Sequence, residues 1–146
     1  MIEVKLSYPE LYPTGFGPAK AGDAGCDLRA DNDYWIKPGD IVCISTGVYV
    51  NMGPGLMGFV LPRSGLSSKN GLRLANTAGV IDSGYQGEIK CYMTLPLGQP
   101  SLHLKKGERF AQMVFLSVPD LKFKTVETFS SATERGAAGF GSTGSV

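Results

Sequence analysis

The sequence predicts an all-β domain, a β-sandwich or jelly roll, and three observations carry that expectation. Apolar and polar residues alternate at period two in several separate runs. Glycine, with 20 of 146 residues, falls in short clusters between those runs, where tight turns belong. No stretch sustains a 3.6-residue apolar stripe over three turns, so only one short helix is expected.

Taken in order, Ile2, Val4 and Leu6 alternate as a first strand, and Ile41 to Val50 as a long one. The turn residues of 37–40 and 51–55 bound that long strand. Ser64 to Asn70 reads as the short helix, with Ser64 able to cap it and Gly71 able to end it. Residues 75–90 read as two strand-like pieces joined through a glycine-containing turn, hence a β-hairpin. Ile89, Cys91, Met93 and Leu95 then alternate with Lys90, Tyr92 and Thr94, and turn material follows at 96–100 and 105–108. Phe110 to Val118 is apolar on both faces, as expected when one face meets the core and the other a second copy. Residues 130–146 are Gly, Ser, Ala and Thr with Phe140 as the one large apolar side chain, too little to order alone. The division expected is a β domain over 1–129 and a flexible C-terminal segment over 130–146.

Composition narrows the function classes. Lys and Arg (14) nearly balance Asp and Glu (13), so no broad field argues for nucleic acid, and an anion must be held by a focused site. Cys26, Cys43 and Cys91 are odd in number and lack any Cys-x-x-Cys pairing, which suits buried thiols in a reducing compartment and not structural zinc. The alternating N-terminus has no leader-like pattern, and no apolar run approaches a membrane span. A soluble intracellular protein, cytoplasmic, is expected.

Five stretches hold residues that could do chemistry, each with an ordinary alternative. Arg63, Ser64 and Gly65 sit where a strand gives way to a helix, a place that favours phosphate oxygens or is simply a turn. Asn76, Gly79, Asp82 and Tyr85 lie in the hairpin segment; its backbone suits a planar base edge and Asp82 could deprotonate water, yet Asp before Ser-Gly commonly just starts a turn. Asp27 within 21–30 needs compensation if buried, by a hydrogen bond or a partner such as Arg29. Arg109 and Gln112 flank the doubly apolar strand, where Gln112 is a satisfied core amide or a ligand contact. Arg135, Phe140, Gly141, Ser142 and Thr143 are parts for clamping a nucleotide or belong to a plain linker. His103, the only histidine, has no second ligand at metal spacing and reads as non-catalytic. Trp35 reads as packing.

Together and in order, these stretches resemble the five motifs of the trimeric dUTPase family over residues 21–144. The resemblance implies a distorted jelly-roll β-barrel, homotrimeric, with three sites at subunit junctions and residues 130–146 as a lid. It implies a nucleoside triphosphate pyrophosphohydrolase that converts dUTP to dUMP and pyrophosphate, with Mg²⁺ as cofactor and no nucleic-acid or membrane partner. Asp82 would activate water, and Asp27 would hold waters of the metal shell. Arg63, Ser64, Gly65 and Gln112 would contact phosphates, while Arg135, Gly141, Ser142 and Thr143 would close over them. Phe140 would stack on uracil; Asn76, Gly79 and the backbone near Ile89 and Lys90 would read it, and Tyr85 would pack under the deoxyribose.

Two positions depart from the family pattern: Ala138 stands where glycine is usual, and Asp23 where serine is usual. The nearest rival, a dCTP deaminase, shares fold and trimer but works with a glutamate, and Asp82 followed by Ser-Gly-Tyr speaks against it. A non-catalytic jelly-roll protein that has kept the nucleotide site is the rival from another class.

Overall fold

The computed structural model describes residues 1–137. Two four-stranded sheets share one core. The first orders β1 (Glu3–Leu6), β4 (Ile41–Asn51), β8 (Glu88–Thr94) and β6 (Arg73–Leu74); the second orders β2 (Cys26–Arg29), β10 (Arg109–Ser117), β5 (Leu56–Pro62) and β7 (Gly79–Ile81). β3 (Tyr34–Ile36) and β9 (Leu102–Leu104) form a separate two-stranded ribbon. The strand pairs are antiparallel, and the arrangement is the mostly β jelly roll that the patterning anticipates.

The alternation in β8 is reproduced residue by residue: Ile89, Cys91 and Met93 are buried, while Lys90 and Tyr92 are exposed. From the other sheet Leu28, Val60, Phe110 and Met113 meet them in one cluster with Ile44 and Val48. Each such side chain contributes roughly 1.5–3 kcal/mol of burial. The thiols of Cys26 and Cys91 are buried, and burial pushes Cys91 up to about 12. Cys43 is exposed instead, because its odd position on β4, opposite Tyr92, faces outward.

Three further expectations need correction. The helix α1 (Ser64–Asn70) begins one residue early for Ser64 to cap it: Arg63 holds the cap position in extended geometry with no side-chain cap. Gly71 does end the helix, in the left-handed conformation at φ 72°. Residues 75–90 are not a hydrogen-bonded hairpin. Both edges of β8 are occupied, by β4 and β6, so β7 pairs with β5 in the other sheet, and 82–87 cross between sheets. Finally, Phe110 and Ala111 do not lie on opposite faces of β10. A register shift between Arg109 and Ala111 turns Phe110 and Ala111 together into the core, leaving only Leu116 and Val118 as large exposed apolar residues at that end.

β4 carries its own bulge, with the register against β8 shifting between Ser45 and Tyr49. Gly47 sits there at φ 69°, and a β-carbon on it would run into the Tyr8 ring. Thr46, the buried polar residue, donates its hydroxyl to the Ile89 carbonyl at 2.6 Å and accepts from the Val48 amide at 3.2 Å. Tyr12 completes the network: its hydroxyl donates to the Thr46 carbonyl at 3.0 Å and accepts from the Arg29 amide at 3.0 Å.

Burial raises the Tyr12 phenol from 10.0 to about 12. The folded-state value is raised, so the stability that Tyr12 contributes is complete below pH about 10 and is lost as pH climbs through about 12. Tyr12→Phe should leave the Thr46 carbonyl and Arg29 amide unpaired and cost about 1–3 kcal/mol in urea unfolding at neutral pH. The gap between variant and parent should narrow above pH about 10; a pH-independent gap would remove the phenol from the account.

Candidate active site

Residues in the expected site divide between two clefts. The first, about 570 Å³, is lined by Asp23, Asp27, Arg63, Ser64, Arg109 and Gln112 with Ala19, Lys20, Ala24 and Gly25. It forms because β2 and β5 both pair with β10, which sets Asp27 opposite Gln112 and Pro62 opposite Ala111. Asp27 lies between two guanidinium groups: Arg63 Nε is 2.6 Å from Oδ1 and Arg109 Nη1 3.1 Å from Oδ2. Arg29, the partner considered from sequence, instead donates to the Gly107 carbonyl at 2.8 Å. Gln112 donates to the Pro62 carbonyl at 3.1 Å, and its side-chain oxygen crowds the space where Gly25 lacks a β-carbon.

Arg63, Arg109 and Lys20 against Asp27 and Asp23 leave one net positive charge around the cleft, suited to phosphate oxygens. Gly65 borders this region, and a β-carbon there would touch nothing in the chain, so internal packing does not demand glycine. Asp23 reaches the same cleft and accepts the Lys20 amide at 3.1 Å, placing its extra negative charge where the sequence suggested.

The second cleft, about 590 Å³, is lined by Asp82, Tyr85, Glu88, Lys90, Tyr49, Tyr92, Val80 and Ile81. Asp82 and Tyr85 belong to a turn closed by the Tyr85 amide donating to the Asp82 carbonyl at 3.0 Å. Asp82 is exposed. The Tyr85 hydroxyl donates to the Glu88 carbonyl at 3.0 Å, an approach possible only because Gly87 has no β-carbon to meet the ring. Glu88 Oε2 lies 3.5 Å from Lys90 Nζ, and that carboxylate raises the Lys90 ammonium above its ordinary value.

The structure does not join these clefts within one chain; they share no lining residue. Ile81 faces Gly58 on β5. The strand from Gly58 to Arg63 and the step to Asp82 run in opposite directions at about 3.3 Å per residue, placing Asp82 and Arg63 on the order of 20 Å apart. No single water can touch both.

Other expected residues line neither cleft. The Ile89 side chain is buried in the core, leaving only its backbone for recognition. Gly79 is packed against Val60 across β5 and β7. Asn76 is exposed in a tight turn, with the Ala78 amide donating to its carbonyl at 2.8 Å. Thr77, at the centre of that turn, is the one non-glycine residue with positive φ, 69°, among the described residues. Arg135 lies in an exposed turn and is not without a partner. Phe140, Gly141, Ser142, Thr143 and the departure at Ala138 lie outside the described residues. His103 stacks on Trp35, with ring centroids 4.4 Å apart, and faces Asp33 at 3.3 Å, away from both clefts.

Sequence reading assigned no role to Glu88 or to Arg109 as the second partner of Asp27. Glu88 was detectable, since it shares the outer face of β8 with Lys90 at period two. Arg109 was not, because its pairing depends on the bulge beside it.

A jelly roll with a guanidinium-lined cleft and a separate aromatic cleft that holds the Asp82 and Glu88 carboxylates defines a class of protein that handles anionic ligands with a flat apolar part, as nucleotides are. The dUTPase family model matches residues 14–144. The chain is similar to the deoxyuridine 5′-triphosphate nucleotidohydrolases of Azotobacter vinelandii, 45% identical with 99% of this chain and 97% of the relative covered, and Cutibacterium acnes, 41% identical with 95% and 89% covered. Among solved structures it resembles the dUTPase of Staphylococcus bacteriophage 80alpha with dUPNHPP, at TM-score 0.82 and 30% identity, covering 99% of this chain and 98% of that one. The chain belongs to the dUTPase family.

Gly25→Ala should push the Gln112 amide away from the Pro62 carbonyl and weaken inorganic pyrophosphate binding by about threefold to tenfold. Isothermal titration would measure it, and undiminished affinity would show that the placement of Gln112 plays no part in anion binding.

Proposed function

We propose that this member of the dUTPase family hydrolyses dUTP to dUMP and pyrophosphate at sites shared between three copies of the chain. The separation of the two clefts is the observation that carries the reading: one chain holds a carboxylate for water and cations for phosphates, but not within reach of a single substrate. Members of the family are trimers. Assembly would bring Asp82 and Tyr85 of one copy against Arg63, Ser64, Gly65 and Gln112 of another.

The stretch from Val118 to Ala137 supports that assembly. It is exposed throughout, and Phe123 and Phe129 are each 90% exposed, with Leu121 and Val126 also uncovered. Large apolar side chains in water favour burial against a neighbour. An arm of this kind could carry Arg135 and the following residues 140–143 to another copy's nucleotide, with Phe140 on uracil.

In the reaction, Asp82 takes a proton from water as its oxygen bonds to the α-phosphorus; the bond from that phosphorus to the α–β bridging oxygen breaks, and pyrophosphate leaves. Arg63 and Arg135 offset the charge that builds on the phosphate oxygens. Tyr85 sits under the sugar where a 2′-hydroxyl would collide, and Asn76, Gly79 and the backbone at Ile89 and Lys90 present polar groups to uracil. A site built to hydrogen-bond uracil leaves groups unpaired against cytosine.

dUTPases are generally dependent on divalent metal. Among the described residues no three His, Cys, Asp or Glu side chains gather as a metal site. Asp27 uses one lone pair of each oxygen for a guanidinium, and a carboxylate has about four acceptor positions. It can therefore also accept from the water shell of Mg²⁺, which suits an ion held mainly by substrate phosphates. Bound there, Mg²⁺ would supply neutralising charge.

Among the described residues no helix is long and apolar enough to cross a membrane. A cytoplasmic nucleotide enzyme, limiting uracil incorporation into DNA and supplying dUMP, is the setting we infer.

Asp82→Asn should bind dUTP normally and lose turnover by about 10³-fold or more, as expected for a general base. Pyrophosphate release from dUTP, dCTP, dTTP and UTP with Mg²⁺ measures both rate and specificity; ammonia release from dCTP would overturn the assignment. Light scattering should give three copies per particle, and removing residues 130–146 should preserve that mass while impairing turnover. A truncated enzyme of normal rate would show the segment to be a linker.

A further inference from the structure

Glu88 connects the bulge in β4 with the aromatic cleft. Its Oε1 accepts the Gly47 amide at 2.9 Å, its Oε2 faces Lys90 Nζ at 3.5 Å, and its backbone carbonyl accepts the Tyr85 hydroxyl at 3.0 Å. The left-handed turn at Gly47 takes that amide out of register with β8, so the carboxylate replaces a strand-to-strand bond. The Glu88 side chain is only 17% exposed, and a carboxylate so enclosed needs these donors. Tyr85 itself is exposed on its open side, held through its hydroxyl and its contact over Gly87.

We propose that Glu88 is a positioning residue: by clamping the start of β8 to the Gly47 bulge it fixes the carbonyl that holds Tyr85, and so sets the preference for a deoxyribose over a ribose. This rests on the reading of the aromatic cleft as the deoxyuridine pocket. Glu88 touches no substrate in this scheme; it acts through the angle of the Tyr85 ring. The Lys90 pair is secondary, since it lies on the exposed side of the carboxylate.

The test compares kcat and KM for dUTP and UTP with Mg²⁺ in the full-length chain and in five variants. Glu88→Ala should relax the dUTP-over-UTP ratio of kcat/KM by about tenfold, chiefly through KM. Glu88→Gln, which keeps an acceptor for the Gly47 amide, should restore most of the discrimination. Tyr85→Phe, which removes the hydroxyl and leaves the bulge intact, should reproduce the Glu88→Ala loss, and combining the two should add little.

Tyr85→Ala separates the two layers of inference. If it leaves discrimination unchanged, the pocket assignment itself fails, and the proposal with it. If it relaxes discrimination while Glu88→Ala does not, the pocket stands and the clamp is overturned. Should Glu88→Ala not fold, unchanged discrimination in Tyr85→Phe overturns the clamp equally well.

Discussion

The bulge in β4 is the constraint on which the rest of the structure depends. At Thr46 and Gly47 the strand leaves its ladder with β8, and an interrupted ladder inside a core must find other partners for its polar groups. It finds them in four directions. Ser7 donates to the Gly47 carbonyl at 2.8 Å, Tyr12 to the Thr46 carbonyl, Thr46 to the Ile89 carbonyl, and the Gly47 amide to Glu88. One irregularity thus ties the N-terminal strand, the loop before β2 and the beginning of β8 together. Its consequence reaches the aromatic cleft, because the residue that accepts the displaced amide is also the residue on which Tyr85 rests.

The anion cleft is organised by charge of a different kind. Asp27 and its arginines are partly exposed, and ion pairs of that sort are typically worth about 1 kcal/mol or less. Their value lies in geometry. Asp27 holds two flexible side chains at one edge of β10, so the guanidinium groups are already ordered before a phosphate arrives and less freedom is lost on binding. Because Asp27 and Asp23 cannot neutralise Arg63, Arg109 and Lys20 together, the cleft keeps a net positive charge without leaving an isolated charge in the core.

Much of the fold was legible because it is written at short range. The alternation along β8, the single helix and its stop at Gly71, and the turns at 37–40 and 105–108 each follow from neighbouring residues; Asp40 and Glu108 close those two turns onto Lys37 and Lys105. Apart from the Ser64 cap and the exposed Cys43, the misreadings concern partners distant in sequence. Whether β7 pairs with β8 depends on β6 having taken the free edge of β8, which no local pattern states. The placement of Phe110 depends on a register shift against β2, and the apolar residues of the arm at Leu121, Phe123, Val126 and Phe129 lack a period that would mark them. The site was legible as a set of residues, through the family resemblance, but not as two clefts, since separation is a property of the β5 register.

That separation changes what Asp82 can be. Alone it is an exposed carboxylate in a turn, surrounded by water that it orients no better than any surface aspartate does. A general base accelerates hydrolysis when its water is held in line with a particular phosphorus, and effective concentrations gained by such placement reach about 10⁵–10⁸ M. Placement requires that the phosphate be fixed as well, and the groups able to fix it stand on the order of 20 Å away along β5. In the enzyme we propose, a second chain closes that distance. The catalytic power we assign to Asp82 is therefore a property of subunit packing as much as of the residue, and an isolated subunit would keep the carboxylate and lose the geometry that makes it a base.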